Sequence, residues 1–222
     1  MKLFRTLPLV LLLALTRAHS DDRATGPEKW EKDIAAFEQM DREHPPEKGG
    51  IVFVGSSSIR MWKTLAQDFP EHRVLNRGFG GSEIADSVQF AERIVIPYAP
   101  RMVVLYAGGN DLNVGKPPEK VVADFKAFAG KIRAALPEAE IAYISSAPNP
   151  ARWAQVEKVK AVNSAIEAWI RDQPRMKFIN VFPHMLGADG LPKPDIFLED
   201  RLHMNPAGYA IWKEVVGPFL VK

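Results

Sequence analysis

Four short stretches of this chain hold residue types that ester cleavage uses, and their order lets one site collect them. The first is Gly55-Ser56-Ser57-Ser58. A serine at the start of a helix carries a backbone N–H that the helix leaves unpaired, so it can attack a carbonyl and also help hold the oxyanion. Taken alone, the stretch reads first as a helix N-cap. The second stretch, Asn76-Arg77-Gly78-Phe79-Gly80-Gly81-Ser82, is a glycine-rich turn whose amides can approach a ligand. By itself it is a tight turn. A dinucleotide fingerprint starting at Gly78 would need glycine where Glu83 stands, and no G-K-[ST] phosphate loop occurs. The third, Gly108-Gly109-Asn110-Asp111, offers the neutral amide donor of Asn110, or an Asx-turn. The fourth is Asp200-Arg201-Leu202-His203, followed by Met204-Asn205-Pro206-Ala207-Gly208-Tyr209. An Asp three residues before a His can accept its Nδ1–H and leave Nε2 free as a base. The plainer alternative is a surface histidine beside a carboxylate.

The elements that would position these stretches are legible as alternating patterns. Apolar runs at Ile51–Val54, Val74–Leu75 with its flanks, Met102–Tyr106, Ile141–Ile144 and Phe178–Val181 are continuous, as strands buried on both faces must be. Amphipathic segments separate them: Trp30, Ile34 and Phe37; Ile84, Val88, Ala91 and Val95; Val121, Phe125, Phe128 and Ile132; Val156, Val159, Ile166, Trp169 and Ile170. Ile211, Val215 and Phe219 close the chain, and prolines mark the breaks. Five strands alternating with helices predict a three-layer α/β/α sandwich with a five-stranded parallel sheet of flavodoxin-like form. In such sheets the working residues gather at the carboxyl ends of the strands. All four stretches fall there, or in the loop just beyond.

Composition narrows the chemistry further. The chain has 222 residues, 46% of them hydrophobic and 25% charged, which argues for one globular domain rather than disorder or coiled coil. It has no cysteine, which excludes disulfides, a thiol nucleophile and thiolate metal sites. No H-x-x-x-H pattern or clustered His and Asp suggests a metal enzyme, and no cofactor is expected. Lys2 and Arg5, the apolar 7–15 core and Ala18-His19-Ser20 predict a secretory signal peptide over 1–20. An uncleaved anchor is the alternative, although the core is short for a bilayer span. Cleavage would remove Lys2, Arg5 and Arg17 and take the formal charge from +2 to −1, which weakens the case for a nucleic-acid-binding surface. A lipoprotein anchor would need a cysteine to acylate. The expected organisation is leader 1–20, polar linker 21–27 and a single domain 28–222, secreted or periplasmic, without stable membrane insertion after cleavage.

The four stretches together resemble the SGNH hydrolases, also called the GDSL esterase/lipase family, over 51–212. Asn76–Gly81 and the LHMNPAGY stretch are most similar to the branch of platelet-activating-factor acetylhydrolase catalytic subunits and related bacterial esterases. The resemblance implies Ser57 as nucleophile, His203 as base and Asp200 as its partner. It also implies an oxyanion hole of the Ser57 and Gly81 amides and the Asn110 side chain. The family's first block usually reads G-D-S, whereas Ser56 stands in the middle here, leaving a hydroxyl on each side of Ser57. His184 competes as the base and Asp195 as the acid. An α/β-hydrolase is disfavoured, because its G-x-S-x-G elbow would need glycine at Ile59. The expected activity is hydrolysis of short-chain, chiefly acetyl, esters of small molecules or saccharides, with carbohydrate O-acetylesterase as a narrower form. A flavodoxin-like binding module is the non-catalytic alternative. The breaker-rich connection 182–202 is expected to line an acyl pocket with Met185, Leu186, Leu191, Ile196, Phe197 and Leu198.

Overall fold

The structure is a computed structural model that describes residues 26–221. The leader and all but the end of the linker lie outside the described residues. The five apolar runs form one wholly parallel sheet: β1 (Ile51–Gly55), β2 (Val74–Gly78), β3 (Met102–Tyr106), β4 (Glu140–Ile144) and β5 (Met176–Ile179), in the order β2-β1-β3-β4-β5. β1 pairs with β2 on one side and β3 on the other, with Ile51 opposite both Val74 and Met102. The chain therefore diverges from β1 in two directions. The loops after β1 and β3 border the crevice that such a switch in strand order opens.

Side-chain alternation explains why the runs are apolar throughout. Val52, Val54, Val103, Leu105, Ile141 and Tyr143 pack on one face, under α1 (Glu31–Glu43), α4 (Ile84–Ile94), α6 (Pro118–Ala135) and α7 (Val156–Arg171). Ile51, Phe53, Met102, Val104, Ala142 and Ile144 pack on the other. That second layer is built from α2 (Ser57–Arg60), α3 (Leu65–Asp68) and α8 (Pro206–Val216). The remaining helix, α5 (Gly109–Asn113), starts just beyond β3. Each fully buried aliphatic or aromatic side chain stabilises the sheet by roughly 1.5–3 kcal/mol.

Two details depart from the sequence pattern. β5 starts and ends two residues earlier than the apolar run Phe178–Val181 suggests. As an outer strand it admits Met176 and Lys177, and the Lys177 ammonium donates to Phe219 O at 3.2 Å. Val181 and Phe182 have left the ladder, and their N–H groups donate to Ser145 Oγ at 3.0 and 3.2 Å. The closing helix buries Tyr209, Trp212 and Val216, while Ile211 and Val215 are only partly covered. Tyr209 and Trp212 can occupy the core because their polar tips are satisfied. The Tyr209 hydroxyl donates to Ser58 O at 2.9 Å and the Trp212 indole to the Met185 sulfur at 3.3 Å.

Candidate active site

β1 delivers its chain directly into α2, with Ser56 at the N-cap and Ser57 as the first helical residue. Ser56 is buried and its side chain makes no capping bond, so the capping alternative fails. Ser57 Oγ lies 2.9 Å from His203 Nε2. His203 Nδ1 in turn lies 2.6 Å from Asp200 Oδ2. The pattern assigns the proton on Nδ1 to the carboxylate and leaves Nε2 to accept from the serine hydroxyl. Asp200 folds back because Arg201 adopts the left-handed region at φ 57°. Its Oδ1 then accepts the backbone N–H groups of Leu202 and His203, both at 2.9 Å. The imidazole and these two amides hold the carboxyl well below its usual range, at about 2.

The loop carrying the histidine is anchored on α8. Asn205 caps that helix, accepting from Ala207 and Gly208 N–H, and its amide donates to Asp195 O and Phe197 O. Tyr209, one turn into α8, reaches Ser58 O and so ties the histidine's helix to the serine's. His184 is exposed and does not line the site, while Asp195 contributes its carbonyl rather than its carboxylate. Neither competitor reaches Ser57.

The glycine stretch works by close approach as well as by turning. A Cβ on Gly78 would stand 2.1 Å from Arg60 N, so only glycine lets α2 seat against the end of β2. Asn76 fastens the same contact, donating to Ile59 O at 2.6 Å and accepting Gly78 N–H at 2.9 Å. Gly81 has φ 85°, a conformation suited to glycine, and lies exposed beyond the cleft's lining. Its N–H has no protein acceptor among the described residues, and neither has that of Ser57. Asn110 sits in the first turn of α5, where Nδ2 donates to Ser82 O and Oδ1 accepts from Arg152 Nη1, both at 3.0 Å.

Ser57, Asn110, Arg152 and His203 border a cleft of about 730 Å³, its open mouth included. Of the six apolar residues expected to line it, only Met185 and Phe197 do. Ile196 is in the core, and Leu191 and Leu198 remain 47% and 40% exposed. The connection is also more structured than its breakers suggest, with 3₁₀ turns at Pro183–Met185 and Pro194–Ile196 and a bridge pairing Phe197 with Met204. Arg152 was missed from sequence. The signal was its position: Asn149-Pro150-Ala151-Arg152 follows β4 as the other stretches follow their strands.

Residues 52–211 match the GDSL-like Lipase/Acylhydrolase family. The chain belongs to this family of SGNH-type carboxylic ester hydrolases, which sets aside the non-catalytic alternative. It is 28% identical over 173 residues to the platelet-activating factor acetylhydrolase IB subunit alpha1 of Pongo abelii, covering 72% of this chain and 70% of that one. Its fold is similar to a GDSL-like lipase from Bacteroides thetaiotaomicron, with a TM-score of 0.68 at 20% identity over 87% and 96% of the two chains. It is also similar to a variant of an acetyl-xylooligosaccharide esterase from Geobacillus Stearmophilus, with a TM-score of 0.62 at 14% identity over 80% and 97%.

Proposed function

We propose that this chain is a serine esterase for short-chain esters, chiefly acetyl esters, with Ser57 as nucleophile, His203 as general base and Asp200 as the group that fixes the imidazole. The observation that carries this reading is the unbroken hydrogen-bond path from Asp200 Oδ2 through His203 to Ser57 Oγ. In the proposed reaction His203 Nε2 takes the Ser57 proton as Oγ bonds to the ester carbonyl carbon. The carbonyl oxygen becomes an oxyanion, held by the N–H groups of Ser57 and Gly81 and by the Asn110 amide. Collapse breaks the carbon–oxygen bond to the alcohol, which leaves with the proton from His203. Water then attacks the acyl-serine with the same base, releasing the acid and restoring Ser57. Both steps balance with water as the only co-substrate.

The acetyl preference draws support from two relatives whose names specify acetyl groups. The leader pattern over 1–20 supports action outside the cytoplasm. No helix among the described residues is long and apolar enough to cross a membrane. The test is turnover of 4-nitrophenyl acetate by the wild type and Ser57→Ala. Loss of activity by about four orders of magnitude or more is expected for the variant, with an unchanged circular dichroism spectrum. Retained turnover would remove Ser57 from the reaction.

A further inference from the structure

Arg152 brings to the cleft a positive charge that ester hydrolysis as proposed leaves unused. It lies in the 3₁₀ turn Pro150–Gln155, where Asn149 caps the turn by accepting Arg152 N–H at 2.9 Å. The neighbouring Ala151 N–H donates to Arg201 O, which ties this turn to the one that carries Asp200 and His203. The side chain is half-buried and lines the same cleft as Ser57 and His203. No carboxylate among the described residues lies within ion-pair distance of its guanidinium, and no Asp or Glu lines the cleft.

The other covered arginines each bond through two or more nitrogens, and Arg101, also without a carboxylate, does so at Val221 O and Gly49 O. Arg77 pairs with Asp41, and Arg93 grips Glu31 and Glu38. Arg133 directs two nitrogens at four backbone carbonyls. Arg152 engages neutral oxygens through Nη1 alone, at Gly109 O (3.2 Å) and Asn110 Oδ1 (3.0 Å). Its Nε and Nη2 donors have no acceptor among the described residues. Burial pulls its basicity below the ordinary arginine value, the cost of a charge desolvated without a counter-ion. The nearby Tyr106 phenol is no counter-ion, since burial pushes its ionisation up. A desolvated guanidinium with part of its fork unused matches a carboxylate, which accepts two parallel N–H bonds.

We propose that Arg152 selects substrates, making this cleft specific for esters that carry a carboxylate on the acyl or the alcohol half. The inference rests on the serine-esterase reading above. Through Nη1 the arginine orients the Asn110 amide, and through its remaining donors it holds the substrate's anion beside the scissile bond. Neutral esters would be cleaved by the same machinery but bound less well.

Matched ester pairs test this. For the acyl half, mono-4-nitrophenyl succinate is compared with its methyl ester. For the alcohol half, 4-acetoxyphenylacetate is compared with its methyl ester, and enzyme-dependent kcat/KM is measured for wild type, Arg152→Gln and Arg152→Lys. The wild type should favour the anionic member of at least one pair by about tenfold or more, chiefly through KM, and the pair that responds identifies the half. Raised salt should shrink that ratio. Arg152→Gln should bring it close to one, and Arg152→Lys should retain part of it. A wild-type ratio at or below one in both pairs overturns the proposal, whether or not a variant folds. So does an Arg152→Gln enzyme that is slower on both members with the ratio intact, because the arginine would then only position Asn110. Failure of the serine-esterase reading looks different: 4-nitrophenyl acetate would go uncleaved, or be cleaved without Ser57.

Discussion

Asn110 is held at both ends of its amide, by Arg152 at Oδ1 and by Ser82 O at Nδ2. That leaves one Nδ2 hydrogen for a developing oxyanion, in an orientation fixed before substrate arrives. Preorganised donors of this kind act on the transition state more than on the bound ester. Asn110→Ala should therefore lower kcat by about a hundred- to a thousandfold with little change in KM, as read from steady-state kinetics on 4-nitrophenyl acetate. An unchanged kcat would take Asn110 out of the oxyanion hole. Asp200 belongs to this scale too. With its carboxyl held at about 2, its share of stability is present above the ordinary carboxylate value near 3.9 and is lost progressively as pH falls from there through about 2. Residue types alone proposed one of the serines 56–58 with Asn110, Asp200 and His203, because each stands in a polar stretch beside a strand end, and the family resemblance chose Ser57. They could not separate Ser57 from Ser56 and Ser58, since that choice depends on the turn between β1 and α2. Arg152 was legible only by its position after β4, because a single arginine after a Pro-rich turn carries no spacing pattern.

At the scale of elements, a buried ionic cluster sets where α5 begins. Asp111 is fully buried and accepts Ile84 N–H at 3.1 Å, which fixes the start of α4 against α5. Lys116 reaches Asp111 and Glu83, each at 2.9 Å, and Asp124 of α6 at 3.1 Å. Lys116→Met would strand Asp111, whereas Asp124 keeps Lys120 at 2.6 Å, and should cost about 3–5 kcal/mol. Burial already raises the Asp111 pKa. Without the lysine, the folded state holds its protons more tightly than the unfolded chain does, so stability falls as pH rises. The deficit in Tm against wild type should be larger at pH 8 than at pH 5. An equal deficit at both would mean that Asp111 is not the group being stranded. The five strands were legible because double-sided burial forces continuous apolar runs. The edge strand β5 and the buried face of α8 were less so. Lys177, Tyr209 and Trp212 place polar atoms at covered positions, where only tertiary partners make them acceptable.

For the whole molecule, the question is how much of an acyl chain the cleft can cover. The connection between β5 and α8 gives Phe182, Met185, Phe197, Leu202 and Met204 to the lining close to the site and leaves Leu191 and Leu198 exposed. A long chain would lie mostly in water and gain little, at about 0.8 kcal/mol for each CH₂ actually buried. Across 4-nitrophenyl esters from acetate to palmitate, kcat/KM should peak between acetate and butyrate. A peak at decanoate or beyond would mean apolar surface that these residues do not supply. The sheet and the order of its stretches were legible as a pattern, whereas the strand order and the shape of the cleft arise only when the layers close. The central claim is that Ser57 is the atom-bearing nucleophile, and covalent labelling tests it most directly. The enzyme is treated with a fluorophosphonate and the adduct located by peptide mass spectrometry. The account predicts one adduct, on Ser57, absent in Ser57→Ala and strongly slowed in His203→Ala. An adduct on Ser56 or Ser58, or labelling of His203→Ala at the wild-type rate, would contradict it.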